Sequence, residues 1–246
     1  MFGAERALIR KRSEGGDLMP ISSAEKLSAV MMFVVAISPR PKRILDVGMG
    51  CGTYGMLCRA YLEMSNSGRY ERGDWETQLI GVEVFEPYRN PMWAFAYDEV
   101  HVGDAVKLVP TLGSFDLVLL CDILEHLPKE VGKTFLDDVL SRSSYVIVSS
   151  PCGHTEQEAI FGNEAERHVS GWSKRDFRGC HVAYRSCGTG FVALLSRGAL
   201  PKGVTRLGRI WTLIKIRLIR IGPASLYRLY KAIKSRLLAK REARRN

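Results

Sequence analysis

The apolar residues of this chain fall into short runs separated by polar or helix-periodic stretches. Ile44, Leu45 and Val47 make the first run, and LIGVEV at 79–84, FDLVLL at 115–120 and YVIVS at 145–149 repeat the pattern. Runs of this length, closed by Gly, Pro or Asp, read as strands buried on both faces. Between them the period changes. Leu27, Val30, Met31, Val34 and Val35 recur at i, i+3, i+4, i+7 and i+8 behind a Ser22-Ser23 start, which predicts a helix covering one face of the sheet. Ser38-Pro39-Arg40-Pro41 stops that helix and feeds the first strand. Residues 54–62 predict a second helix, 63–78 a polar surface loop, and 133–140 a short amphipathic helix. Val100-His101-Val102 reads as a further strand entering an acidic turn. His181 to Arg185 and Phe191 to Leu195, joined through Gly188-Thr189-Gly190, predict a closing hairpin. Strands alternating with helices imply an α/β domain with a mostly parallel sheet.

Beyond Leu200 the pattern differs. Leu207, Ile210, Trp211, Ile214, Leu218 and Ile221 fall on one helical stripe, with Arg206, Arg209, Arg217 and Arg220 largely off it. Gly222-Pro223 breaks the run, and Leu226, Leu229, Tyr230, Ile233 and Leu237 start a second stripe. The charge follows this division: of the whole-chain +10, residues 197–246 carry +14, leaving −4 for residues 1–196. The expected organisation is therefore a body at 1–198 and a basic amphipathic helical tail at 199–246. Basic stripes with Trp and Tyr at their edges read as interfacial binders of an anionic membrane surface. An RNA-binding arm, and helices docked on their own domain or a second subunit, are the alternatives. Nucleic acid is the less favoured partner because the apolar residues keep a helical period. The six cysteines contain no C-x-x-C pair and read as reduced thiols. Met1 to Arg12 is too charged for a signal peptide, and no apolar run reaches the ~18 residues of a membrane span. A cytoplasmic protein, peripheral on the inner membrane face through its tail, is expected.

Candidate chemistry concentrates where the first strand ends. Gly48, Gly50 and Gly52 follow Val47 at spacing two, so the chain turns tightly and leaves bare backbone for a ligand to approach. The spacing is not the G-x-G-x-x-G of dinucleotide sites, and Asp46 precedes it. A carboxylate there would repel a pyrophosphate but could hold the ammonium of an amino-acid moiety. Glu83 ends the second strand, where one carboxylate can take two ribose hydroxyls. The stretch D-x-G-x-G-x-G at 46–52 resembles the first motif of class I S-adenosylmethionine-dependent methyltransferases, and F-D-L-V-x-x-x-D-I-L-E-H-L at 115–127 is a close match to their fourth. Over residues 21–197 the resemblance implies a Rossmann-like, doubly wound, seven-stranded sheet with a terminal antiparallel hairpin, and S-adenosyl-L-methionine as cofactor. It implies cofactor contacts from Asp46, Gly48, Gly50, Gly52, Glu83, Val84, Asp104, Ala105 and Cys121, with Asp104 accepting from the adenine amino group.

The acceptor must be read from the segments after the fourth and fifth strands, since ligands sit at their carboxyl ends. Residues 151–177 concentrate His154, Glu156, Asn163, Glu164, Glu166, His168, Trp172 and Asp176, and read as an acceptor lid. Methyl transfer to a hydroxyl needs a base, and His126 and His154 come directly after the two bordering strands. The spacing of His154, Glu156, Glu166 and His168 matches no metal motif, so no metal is expected. The motifs most resemble methyltransferases of small metabolites and surface-glycan or lipid precursors. A small-molecule or lipid-linked acceptor is therefore the leading reading, beside RNA methylation and non-catalytic cofactor binding.

Overall fold

The computed structural model describes residues 21–160 and 162–204. The two apolar stripes of the tail and the charged N-terminal segment read from the sequence lie outside the described residues.

The architecture is α/β and Rossmann-like. Seven strands form one sheet in the order β3-β2-β1-β4-β5-β7-β6, with β1 at Arg43–Val47, β2 at Gln78–Glu83, β3 at Glu99–Val102, β4 at Phe115–Cys121, β5 at Ser143–Pro151, β6 at His181–Cys187 and β7 at Gly190–Ser196. The first five are parallel; β7 runs antiparallel to both β5 and β6, so the closing hairpin is present. The inner strands are apolar on both faces because both are covered, and Ile44, Leu79, Leu117, Leu119 and Ile147 are fully buried.

Strand order reverses beside β1: the chain moves outward through β2 and β3, then returns to β1's other edge with β4. Register aligns the carboxyl ends there, with Val47 level with both Val82 and Leu120, and Cys121 level with Ser149. Such a switch point opens a crevice that secondary structure does not fill.

Helix α1, Ala24–Ala36, starts at Ser23, whose hydroxyl caps the amide of Lys26, and packs Ala29, Val30, Met31, Phe33 and Val34 inward. Val35, expected on that face, is exposed, and Phe33 takes the buried position. Helix α2, Thr53–Cys58, does not stop at Leu62: it widens into a π-helical turn over Arg59–Met64 and reaches Gly68 in the left-handed region. Two buried charges explain why. Arg59, 1% exposed, donates to the carbonyls of Ala96 and Thr77 and to Asp98, at 2.6–2.7 Å, and its guanidinium lies 4.4 Å from the Trp75 ring. Glu63, also 1% exposed, pairs with Arg69 and accepts from the amides of Glu76 and Thr77. Residues 63–78 lie mostly at the surface, as expected, but the helix runs into them and Glu63 ties them to the body. Buried charges persist only where such bonds satisfy them.

Helix α3, Pro91–Ala96, capped by the Asn90 side chain, and the short α4, Ala105–Leu108, capped by Asp104, complete the β2–β4 half. Helix α5 runs over Lys129–Ser141, four residues earlier than its apolar period predicts, and buries Phe135, Leu136, Val139 and Leu140 against the sheet. No helix among the described residues is long and apolar enough to cross a membrane.

Candidate active site

The glycine loop is shaped by backbone strain that only glycine tolerates cheaply. Gly48, Gly50 and Gly52 have φ of 65°, 51° and 85°. A Cβ on Gly48 would stand 1.9 Å from Ile123 Cδ1, so this residue also lets the segment after β4 close against the loop. Gly48 and Met49 donate to the carbonyl of Val82, and Gly50 donates to Glu83 Oε2 at 2.9 Å. Glu83 Oε1 accepts from the amide of Phe85, also at 2.9 Å. Burial raises the Glu83 pKa, and those amides oppose the shift.

A cavity of about 380 Å³ opens at this point. Gly48, Met49, Gly50, Cys51 and Glu83 line it from the β1–β2 side, and Val84, Asp104 and Ala105 continue that wall. Cys121 lines it from the end of β4. Asp104 uses Oδ1 to cap the amide of Val106 and remains partly exposed. Gly52 is off the wall and begins α2.

Asp46 is also off the wall. Its side chain lies beneath the loop, 1% exposed, with Oδ2 accepting from the Tyr97 hydroxyl at 2.6 Å and Oδ1 without a partner. Burial pushes its pKa up to about 7, the Tyr97 bond opposes this, and the Glu83 charge adds to it. The structure therefore sets the Asp46 carboxyl against Tyr97 and not on the cavity wall, where the ammonium contact is expected.

On the β4 side, Asp122 adopts φ 56°, the one positive φ of a non-glycine among the described residues. Asp is among the residues that tolerate this region, and three donors hold it there: Lys26 Nζ at 2.6 Å, Ser149 Oγ at 3.1 Å, and the Ser22 hydroxyl. The start of α1 is thereby tied across the cavity mouth to the end of β4. Asp122 belongs to the motif at 115–127, but no local pattern shows its pairing with Lys26, which spans 96 positions.

One turn further, Glu125 is 2% exposed and neither carboxyl oxygen has a hydrogen-bond partner. Burial raises its pKa to about 8, with Asp122 adding to the shift; its own amide, Lys26 and the Ser150 hydroxyl oppose it, none of them in ordinary hydrogen-bond geometry with the carboxyl. His126 sets Nδ1 3.2 Å from the carbonyl of Arg167, and His168 sets Nδ1 2.7 Å from that of Thr155. Their rings lie 4.9 Å apart at 57°, and burial lowers both pKa values. Glu125, His126 and His168 all line the cavity, with Gln157, Asn163 and Glu166. His154 does not: it is exposed, because the chain turns at Gly153 to pair Cys152 and Gly153 with Trp172.

The segment after β5 is anchored through Trp172. That ring is fully buried, its Nε1 donates to the carbonyl of Leu124, Gly132 gives it room, and Lys129 Nζ lies 3.7 Å from its centre. Lys129 also pairs with Asp176 at 2.9 Å. Of the residues expected to form an acceptor lid, Asn163, Glu166 and His168 reach the cavity, while Trp172 and Asp176 fasten the segment down.

No protein-family profile and no curated protein matches the chain. Solved structures do. An S-adenosylmethionine-dependent methyltransferase from Clostridium acetobutylicum aligns with a TM-score of 0.52 at 9% identity, over 81% of this chain and all of that one. The N-terminal domain of EvdMO1, crystallised in the presence of SAH and D-fucose, aligns at 0.50 and 16% identity, over 78% of this chain and 95% of that domain. An O-methyltransferase family protein from Burkholderia thailandensis aligns at 0.50 and 13% identity over 71% of this chain, which spans 57% of that protein's length. With the strand order and the antiparallel β7, these alignments establish the class I methyltransferase fold.

Proposed function

We propose that this protein is an S-adenosylmethionine-dependent methyltransferase acting on a small-molecule or lipid-linked acceptor, a surface-glycan precursor being the kind of molecule that fits. The observation that carries this reading is that one cavity is shared by the loop Gly48–Cys51 with Glu83 and by Glu125, His126 and His168. At about 380 Å³ it falls within the ~300–1,000 Å³ of ordinary small-molecule sites.

The cofactor supplies an electrophilic methyl carbon on a sulfonium, taken by the acceptor through in-line displacement. The residues present fit it. The backbone of Gly48 and Gly50 allows close approach, and each Glu83 oxygen, bonded once by an amide, retains a lone pair for a ribose hydroxyl. Val84, Asp104, Ala105 and Cys121 are assigned to the adenosyl portion. Accepting the acceptor's proton falls to the His126 and His168 side of the cavity, since His154 stands outside it. The tail is assigned to an anionic membrane surface on its sequence pattern, which would bring the body to lipid-linked acceptors.

Two measurements test this. Calorimetry of the full chain with S-adenosylmethionine should give saturable binding. Incubation with methyl-labelled cofactor and separate lipid, glycan and RNA fractions should label the first or second. Binding with no label in any fraction would mean a non-catalytic protein, and label in RNA alone would overturn the acceptor class.

A further inference from the structure

We infer that Glu125, His126 and His168 form a binding site for a divalent first-row transition cation on the β4 side of the cavity. One ligand atom from each of the three lies within 4.8 Å of the others, a spacing that a single ion can draw together.

The case rests on hydrogen-bond accounting. A buried carboxyl normally finds donors, because leaving it unpartnered forfeits the hydrogen bonds it made to water. Glu125 has none in ordinary hydrogen-bond geometry for either oxygen, and the Ser150 hydroxyl that acts on it is itself otherwise unpartnered. Lys26, whose charge acts on Glu125, has its Nζ engaged 2.6 Å from Asp122. Glu125 is held in place through its backbone instead: its carbonyl accepts from the amides of Val169 and Ser170 at 2.9 and 3.1 Å, which also brings His168 alongside.

The two histidines are oriented in the manner of ligands. A carbonyl can only accept, so the contacts of His126 Nδ1 with Arg167 and of His168 Nδ1 with Thr155 place a proton on each Nδ1. Each Nε2 then keeps its lone pair. Backbone carbonyls fixing the tautomer of a ligating imidazole are the usual outer-shell arrangement of metal sites. The result is a carboxyl that makes no ordinary hydrogen bond and two imidazole lone pairs gathered together, an arrangement that attracts a cation. Two imidazoles with one carboxylate suit Zn²⁺, Co²⁺, Mn²⁺ or Fe²⁺ better than Mg²⁺ or Ca²⁺, which prefer oxygen ligands throughout.

Three protein ligands leave coordination positions open, and all three residues line the cavity. There the ion would take water or an oxygen of the acceptor, and because both Nε2 lone pairs would then be ligating, it would make that oxygen more acidic in place of a histidine base. This last role rests on the methyl-transfer reading; the binding itself does not.

The test uses the full chain, stripped with a chelator and offered Co²⁺ and Zn²⁺ with no cofactor or acceptor present. One Zn²⁺ per chain should be retained in equilibrium dialysis, and Co²⁺ should develop visible absorption of a site with nitrogen and oxygen ligands. His168→Ala and Glu125→Gln should each weaken Zn²⁺ binding by at least about tenfold, while His154→Ala should leave it unchanged. Circular dichroism shows which variants fold, and because His168 is half-exposed its variant tests the site even if Glu125→Gln does not fold. No stoichiometric uptake by the unaltered chain, or equal affinity in His168→Ala and His154→Ala, overturns the site. Calorimetry with S-adenosylmethionine on the same stripped protein reads the cofactor assignment separately.

Discussion

The amide of Gly50 and the carboxyl of Glu83 meet at 2.9 Å, which ties the loop after β1 to the end of β2. Glu83→Gln should therefore weaken S-adenosylmethionine beyond the loss of one ribose contact. The substituted amide turns an NH₂ toward either Gly50 or Phe85, opposing one donor with another. The expected cost is about 1–3 kcal/mol, or roughly 5- to 150-fold in affinity, read by calorimetry. An unchanged dissociation constant would remove Glu83 from the cofactor site.

Asp46 makes stability depend on pH. Its pKa is about 7 folded against an ordinary 3.8, so between those values the folded chain keeps a proton that the unfolded chain has released. Stability from this group therefore falls as pH rises from about 4 to 7, by up to about 4 kcal/mol at ~1.4 kcal/mol for each pH unit crossed. Asp46→Asn cannot ionise and should flatten that part of the curve. Urea unfolding of both proteins at pH 5 and pH 8 measures it; equal slopes with pH would mean that the carboxyl is not held out of water.

Trp172 fastens the segment carrying Asn163, Glu166 and His168 to the turn after β4. Trp172→Ala should cost about 3–5 kcal/mol, since the ring is fully buried. Trp172→Phe retains much of the contact and leaves the Leu124 carbonyl with the Leu127 amide and Ser170 Oγ as donors, both at 3.2 Å, so it should cost less, about 1 kcal/mol. If the segment serves the acceptor, the Phe variant should raise the acceptor KM more than it weakens cofactor binding. A loss confined to the cofactor would contradict that division.

What the sequence made legible was whatever rests on local pattern. β1, β2, β4 and β5 stand out because a strand covered on both faces is a continuous apolar run, and the glycine loop because positive φ selects glycine. Helix α3 was missed: six residues beginning at Pro91 are too few for a period to show. The cavity wall was only partly legible. Asp46 gained a buried partner in Tyr97, 51 positions away, and Lys26 found Asp122 across 96. His168 appeared in the sequence as one polar residue among many, and only the fold sets it beside His126 and Glu125. His154 looked the equal of His126 by distance from a strand end, yet the turn at Gly153 carried it outside.

The tail bears on where the acceptor is met. Residues 197–246 carry +14, and their apolar residues keep a helical period, so both charge and apolar contact should contribute to binding an anionic surface. Vesicles containing anionic lipid should sediment the full chain. High salt should weaken that binding by screening the basic residues, without abolishing it, because the Leu, Ile and Trp contacts are insensitive to ionic strength. Trp211→Glu should largely prevent it by placing a charge in the apolar stripe. A chain ending at Gly203 should stay in the supernatant and still bind S-adenosylmethionine, since the glycine loop, Glu83 and the cavity lie within residues 21–168. If Trp211→Glu sediments like the unaltered chain while the shortened protein aggregates, the stripe covers apolar surface on protein instead of lipid.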